Sequence, residues 1–228
     1  PILLDPNMLV RTDVESVSEI VHACLKPERT PLINSDLAKA IGIDSLWFKD
    51  ERNRMDMGSF KAIGASYVLA REAAEKVGLE ASDEELKSSL EGRIYATASA
   101  GNHGLSVAAG ARLFGAKARI YVSKYVPEKF KLQLKDMGAI VTVHGSTYEQ
   151  SQERAIQECD LNGWTLISDS TWEGYDGGLD IMEGYLISIS QALEEIHQDP
   201  THIFLQAGVG GFPASMATLA RKYFGDKP

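Results

Sequence analysis

The chain of 228 residues is 44% hydrophobic and 24% charged, an ordinary globular balance with enough length for a sizeable core. Its 23 basic and 32 acidic residues give a formal charge of -9, which disfavours nucleic acid as a partner but leaves room for one small anion at a local basic patch. Two cysteines, Cys24 and Cys159, are too few for a disulfide framework, and neither they nor the five scattered histidines match metal-ligand spacing. No apolar run approaches the ~20 residues of a membrane span, and Pro1-Ile2-Leu3-Leu4-Asp5 has no basic region leading into an apolar stretch. A cytoplasmic protein with reduced thiols is the expectation.

Val14 to Leu25 reads as a helix, with Pro27 stopping it soon after. Thr30-Pro31-Leu32 reads as extended, because a residue before proline avoids the helical region. Leu46 to Lys49 has the composition of a short strand. Met57-Gly58-Ser59 then breaks the chain before a helical pattern from Phe60 to Val77, in which Ile63, Tyr67 and Ala70 keep one apolar stripe and Ser59 is the expected N-cap. The charged stretch Glu80 to Glu91 reads as a solvated helix and loop.

From residue 93 a regular alternation sets in. Strands are expected at Arg93–Ala98, Ala118–Val122, Ile140–Val143 and Thr165–Ser168. Helices at Leu105–Phe114, Pro127–Met137 and Thr147–Leu161 separate them. Such alternation implies a parallel sheet with right-handed crossovers, an α/β fold. A long helix from Leu179 to Ile196, a strand at Ile203–Gln206 and a helix from Pro213 to Phe224 complete the chain.

Three segments carry residues suited to chemistry. Gly208-Val209-Gly210-Gly211 lies between an apolar run and a helix, where glycines let the backbone approach an anion and a helix N-terminus offers free N–H groups. A plain tight turn is the alternative, and the loop fits neither the dinucleotide fingerprint nor the P-loop. Ser99-Ala100-Gly101-Asn102-His103-Gly104 follows a parallel strand, at the end of the sheet where α/β proteins bind ligands. There the alternative is an Asn in a left-handed turn beside a surface His. Lys61 stands at a helix start, where the macrodipole opposes an ammonium and favours the reactive free amine. Read alone, it is as easily a solvent-facing lysine.

Taken together, Gly58-Ser59-Phe60-Lys61, the Ser-Ala-Gly-Asn-His-Gly turn and the Gly-Val-Gly-Gly loop resemble the fold-type II pyridoxal 5′-phosphate (PLP) enzymes, in order and in rough spacing. Thr30-Pro31-Leu32 and Phe48-Lys49-Asp50-Glu51 are similar to that family's opening segment. The resemblance implies a tryptophan synthase β-like fold of two parallel-sheet domains. Residues 55–175 would form the smaller one; 1–54 and 176–228 would belong to the larger, whose remainder lies beyond this chain. It further implies that Lys61 holds PLP as a Schiff base and that Asn102 bonds the cofactor's ring oxygen. Ser99, Ala100, Gly101 and His103 would bind the substrate carboxylate, and Gly208, Val209, Gly210 and Gly211 the phosphate.

A fourth segment, Asp169-Ser170-Thr171-Trp172-Glu173-Gly174-Tyr175 with Ile181-Met182-Glu183-Gly184-Tyr185, resembles the diaminopropionate ammonia-lyases. That resemblance implies α,β-elimination from 2,3-diaminopropionate to pyruvate and ammonia, with Asp169 as a second catalytic residue beside Lys61. On local grounds the alternative is an Asp169 that caps a turn. The lyases carry an aspartate, linked to the D-isomer, where this chain has Ala100, so its turn is closer to the serine/threonine dehydratase form. A dehydratase or β-replacement enzyme, a non-catalytic PLP-binding protein or inactive fragment, and a nucleotide-binding α/β domain stand as rival readings. The family resemblance also implies a homodimer acting on a small amino acid.

Overall fold

The structure, a computed structural model, describes residues 10–225. Pro1–Asp5 lies outside the described residues.

The chain opens with helix α1 (Val14–Ile20), capped by Asp13, whose carboxylate accepts the Ser16 N–H at 3.2 Å. The helix widens into a π-turn over Val21–Leu25 and stops at Lys26, which is left-handed and bonds back to the Val21 carbonyl, just before Pro27. Two short strands, β1 (Leu32–Asn34) and β2 (Trp47–Lys49), pair antiparallel with Ile33 opposite Phe48, and helix α2 (Leu37–Ile41) lies between them.

A 3₁₀ segment, Glu51–Asp56, leads to the first long helix. It is organised by Arg54, whose side chain is wholly buried. The guanidinium grips Glu51 with two bonds of 2.7 and 2.8 Å and also donates to Thr30, Gln191 and the Glu28 carbonyl. Such a fork satisfies both the buried cation and its carboxylate. It also secures a strained stretch, since Met55 and Asp56 both take left-handed φ, at 51° and 56°.

Helix α3 (Lys61–Val77) is followed by α4 (Asp83–Ser88), which starts with a complete Ser82–Glu85 capping box within the predicted charged stretch. The predicted alternation then appears: β3 (Ile94–Ala98), α5 (Asn102–Leu113), β4 (Lys117–Val122), α6 (Glu128–Asp136), β5 (Ile140–Val143), α7 (Tyr148–Asn162) and β6 (Thr165–Leu166). The strands form one parallel sheet in the order β5-β4-β3-β6, with Thr97 opposite Ile120 and Ala96 opposite Leu166. Alternate side chains of β3 enter different cores. Tyr95 joins the main cluster with α3, α5 and α8 (Gly177–Glu195), whereas Ala96 and Ala98 face α7 with Ala155 and Cys159. Helix α9 (Gly211–Phe224) packs against α8.

Several boundaries move by one to three residues from the sequence reading, and one predicted strand is absent among the described residues. Helix α5 begins at Asn102, three residues earlier than predicted, because the glycine-bearing turn closes directly into it. Ile203–Gln206 is not a strand: among the described residues no strand pairs with it, and Phe204 is 86% exposed. An apolar run encodes strand propensity, but a strand exists only where a neighbour completes its ladder. No helix among the described residues is long and apolar enough to cross a membrane.

Candidate active site

The sheet order creates a switch point. From β3 the chain crosses to β4 on one side, and from β5 it crosses back to β6 on the other. Beyond the carboxyl ends of two such neighbouring strands a crevice opens, the usual ligand position in open α/β sheets. The Ser99–Gly104 turn leaves β3 there, and Asp169 lies three residues beyond β6.

The turn presents the start of a helix to this crevice. Gly101, in extended conformation, is the N-cap of α5, and no side chain caps it. The first-turn N–H groups therefore have no side-chain acceptor, and the positive end of the dipole favours an anion. Glycine is required at position 104, since a Cβ there would collide with the Ser99 carbonyl oxygen. Ser99 Oγ accepts the Gly101 N–H at 3.3 Å, and Asn102 is exposed.

His103 turns the other way. It is 3% exposed, with Nε2 3.1 Å from the Ile167 carbonyl oxygen. A carbonyl can only accept, so Nε2 carries the proton. Nδ1 is then a buried lone pair with no hydrogen-bond partner among the described residues. Burial holds the imidazole below its ordinary pKa, which keeps it neutral near pH 7. Only the backbone of His103 is left to face the crevice.

Lys61 is the first residue of α3, and the N-cap is Phe60 rather than the expected Ser59, which stands one residue earlier and accepts the Lys61 N–H through Oγ at 3.3 Å. Small residues fix the helix from two sides. A Cβ on Gly64 would strike Tyr185 and Ile181 of α8, and one on Gly184 would lie 2.8 Å from the Ile63 carbonyl. On the α5 side, Ser106 Oγ donates to the Ala62 carbonyl at 2.8 Å and accepts the Ser66 N–H at 3.2 Å.

This packing sets Lys61 Nζ 2.5 Å from Asp169 Oδ2, an ion pair between a 30% exposed amine and a 12% exposed carboxylate. Burial pushes the Asp169 carboxyl up, but His103 and the bond from Lys61 outweigh it and hold the group below the usual aspartate range. The share from His103 needs its imidazolium; while burial keeps that ring neutral, the ion pair with Lys61 is the charged contact left to Asp169. The sequence reading named both residues but not their contact. Two tyrosines that it missed also feel Asp169: Tyr148, which opens the helix after β5, and Tyr185 of α8. Burial and then the Asp169 charge raise both phenols. For Tyr148, the only signal in the sequence was its place at the carboxyl end of a strand.

The glycine loop closes the crevice. Gly210 (φ +98°) is the N-cap of α9, again with no side-chain cap. A Cβ on Gly211 would lie 3.9 Å from the Asp169 carbonyl oxygen, and the Phe212 ring sits 4.0 Å from that of Phe60, the neighbour of Lys61. Beside Gly208 and Gly210 the space is open, and Val209 is 64% exposed. The predicted residues thus meet in part: the Lys61 amine lies against the Asp169 carboxylate, the uncapped start of α9 lies beside the Asp169 backbone, and Asn102 stands exposed at the uncapped start of α5. The set fits PLP, which needs a lysine, a backbone cradle for its phosphate and a partner for its ring oxygen.

Comparison with known proteins agrees. The family described as pyridoxal-phosphate dependent enzyme matches residues 24–228. Diaminopropionate ammonia-lyase from Escherichia coli (strain K12) is 34% identical over 190 residues, covering 79% of this chain and 48% of the relative. A probable D-serine dehydratase from Rhizobium leguminosarum bv. trifolii is 25% identical over 256 residues, covering 99% and 58%. The solved structure of holo diaminopropionate ammonia lyase from Escherichia coli superposes with a TM-score of 0.84 at 30% identity, covering 93% of this chain and 57% of that one. The chain spans about half the length of the curated relatives it matches. On its matched sequence, its parallel-sheet fold and its converging site, the chain belongs to the pyridoxal-phosphate dependent enzymes of fold type II.

Proposed function

We propose that this chain carries the cofactor-lysine side of a lyase that eliminates the β-amino group of 2,3-diaminopropionate. The Lys61–Asp169 contact at the switch point is the observation that carries this reading. When bound, PLP supplies an electron sink for the charge that develops on the substrate α-carbon.

The chain's own groups have distinct tasks. Lys61 would hold the cofactor covalently through Nζ, Asn102 would support its ring oxygen, and Gly208 to Gly211 would receive its phosphate at the start of α9. Backbone N–H groups of Ser99 to His103, at the start of α5, receive the substrate carboxylate. Asp169 is ionised and adjacent to the lysine, so it can accept the α-proton of an L-amino acid, with Lys61 the alternative acceptor. The β-amino group then leaves as ammonia, and hydrolysis of the remaining enamine gives pyruvate and a second ammonia. Phe60, Phe212 and Tyr185 pack as an aromatic cluster next to Lys61 in the chain, which favours a water-poor surrounding for the amine.

Ala100 favours a second reading, a dehydratase acting on serine or threonine, because it leaves no carboxylate in the turn to engage a second amine. Ammonia release by the PLP-loaded chain from L- and D-diaminopropionate, L-serine and L-threonine separates the two. Our reading expects L-diaminopropionate to be the best substrate and Asp169→Asn to lose most of that turnover. Preference for serine or threonine would support the dehydratase. Bound cofactor with no ammonia from any of them would support a non-catalytic PLP-binding chain.

A further inference from the structure

Asp169 lies beyond the last rung of the sheet. Strand β6 pairs with β3 over only two residues, and the ladder ends in one further bond, from the Ile167 N–H to the Ala96 carbonyl at 2.8 Å. Past that point, two side chains from outside the strand hold the backbone. The Tyr175 hydroxyl accepts the Ser168 N–H at 2.8 Å and donates to the Leu166 carbonyl at 3.2 Å. His103 Nε2 donates to the Ile167 carbonyl at 3.1 Å.

The Trp-Glu-Gly-Tyr run is shaped to bring that hydroxyl back. Trp172 and Tyr175 exchange backbone bonds of 3.0 and 2.9 Å across a turn in which Gly174 takes φ +84°. Their rings stack at 4.3 Å. The following glycines make room: a Cβ on Gly177 would collide with the Tyr175 hydroxyl, and one on Gly178 would lie 3.1 Å from the Ser170 carbonyl oxygen.

We propose that Tyr175 and His103 are positioning residues that fix the Leu166–Ser168 backbone and so place Asp169 against Lys61. Neither acts through its own proton; each occupies a backbone group that would otherwise be free to turn. The catalytic meaning of this placement rests on Asp169 being the proton acceptor proposed above, whereas the placement itself does not.

The test reads the Asp169 carboxyl directly, by ¹³C NMR of the aspartate-labelled chain without cofactor, with the signal assigned by its loss in Asp169→Asn. The charged and titratable groups facing Asp169 are Lys61 from α3, His103 from α5, Tyr148 from α7 and Tyr185 from α8. Tyr175→Phe changes no charge, yet should raise the proton affinity of Asp169 about tenfold or more as the carboxylate drifts from Lys61 while staying buried. His103→Leu should do the same. His103→Gln, whose amide can still donate to the Ile167 carbonyl, should restore the wild-type titration, which loss of an imidazole charge would not allow. Should Tyr175→Phe fail to fold, the His103 pair carries the test. Unchanged titration in folded Tyr175→Phe and His103→Leu would overturn the inference. Shifted titration together with full turnover by Asp169→Asn would instead leave the placement intact and remove Asp169 from the chemistry.

Discussion

Replacing Lys61 by Met keeps the side-chain volume but removes the cation that faces Asp169. The carboxylate is 12% exposed, and the remaining neighbour, His103, is held neutral by burial. Removing one partner of a buried pair costs about 3–5 kcal/mol. Because Lys61 is 30% exposed and water can partly replace it, the low end applies, about 3 kcal/mol. For a chain of this size that corresponds to a fall in Tm of about 6–12 °C.

The sign with pH follows from linkage. In the wild type the folded-state pKa of Asp169 is depressed, so its contribution is present above the unfolded value and is lost as pH falls through the folded one. In Lys61→Met, burial dominates and the folded pKa is raised, so Asp169 opposes folding at neutral pH and ceases to do so once protonated. Thermal melts of the cofactor-free protein should therefore show the largest loss near pH 7, a smaller one near pH 4 once Asp169 of the variant is protonated, and the least below the depressed pKa of the wild-type carboxyl. Asp169→Asn added to Lys61→Met should recover most of the loss, because no buried charge remains. Equal stability of the single and double variants at pH 7, or a deficit that does not shrink on acidification, would refute the buried-pair account.

Three other perturbations probe the scaffold. Arg54→Met strands the buried Glu51 carboxylate, whose pKa burial raises but Arg54 holds down, and should cost about 3–5 kcal/mol at pH 7, shrinking toward acid in denaturant titrations. Gly184→Ala places a methyl 2.8 Å from both the Ile63 carbonyl and Tyr67 Cβ, so α3 and α8 must separate at about 1–3 kcal/mol, and PLP affinity should fall with it because α3 carries Lys61. Gly210→Ala meets no neighbour but forces an L-residue to φ +98°, at about 1–2 kcal/mol. Its PLP dissociation constant should rise by about tenfold in a fluorescence titration.

Periodicity and turn chemistry made most of the fold legible. The four parallel strands and the helices between them follow from period-2 and period-3.6 patterns with glycine breaks, and boundaries moved by only a few residues. Lys61, Asn102, Asp169 and the glycine loop were readable as motifs because each sits at a strand end or helix start. Their convergence was not, because it depends on β6 lying beside β3, and strand order is a tertiary property. The orientation of His103 was also hidden: alternation along a helix start does not say which of Asn102 and His103 faces inward. The roles of Tyr148, Tyr175 and Tyr185 depend on burial and on partners 7 to 21 residues away in sequence, and no local pattern encodes either. Ile203–Gln206 shows the converse case, a strand-like run without a partner strand among the described residues.

In the proposed function Lys61 is the residue that binds PLP covalently. The most direct test is to load the chain with PLP, record its visible absorbance, reduce it with borohydride and map the modified peptide. A Schiff-base band that reduction abolishes is expected, with the phosphopyridoxyl group on the peptide containing Lys61 and no band in Lys61→Met. A band that survives in Lys61→Met, or a label fixed on another lysine, would contradict this assignment.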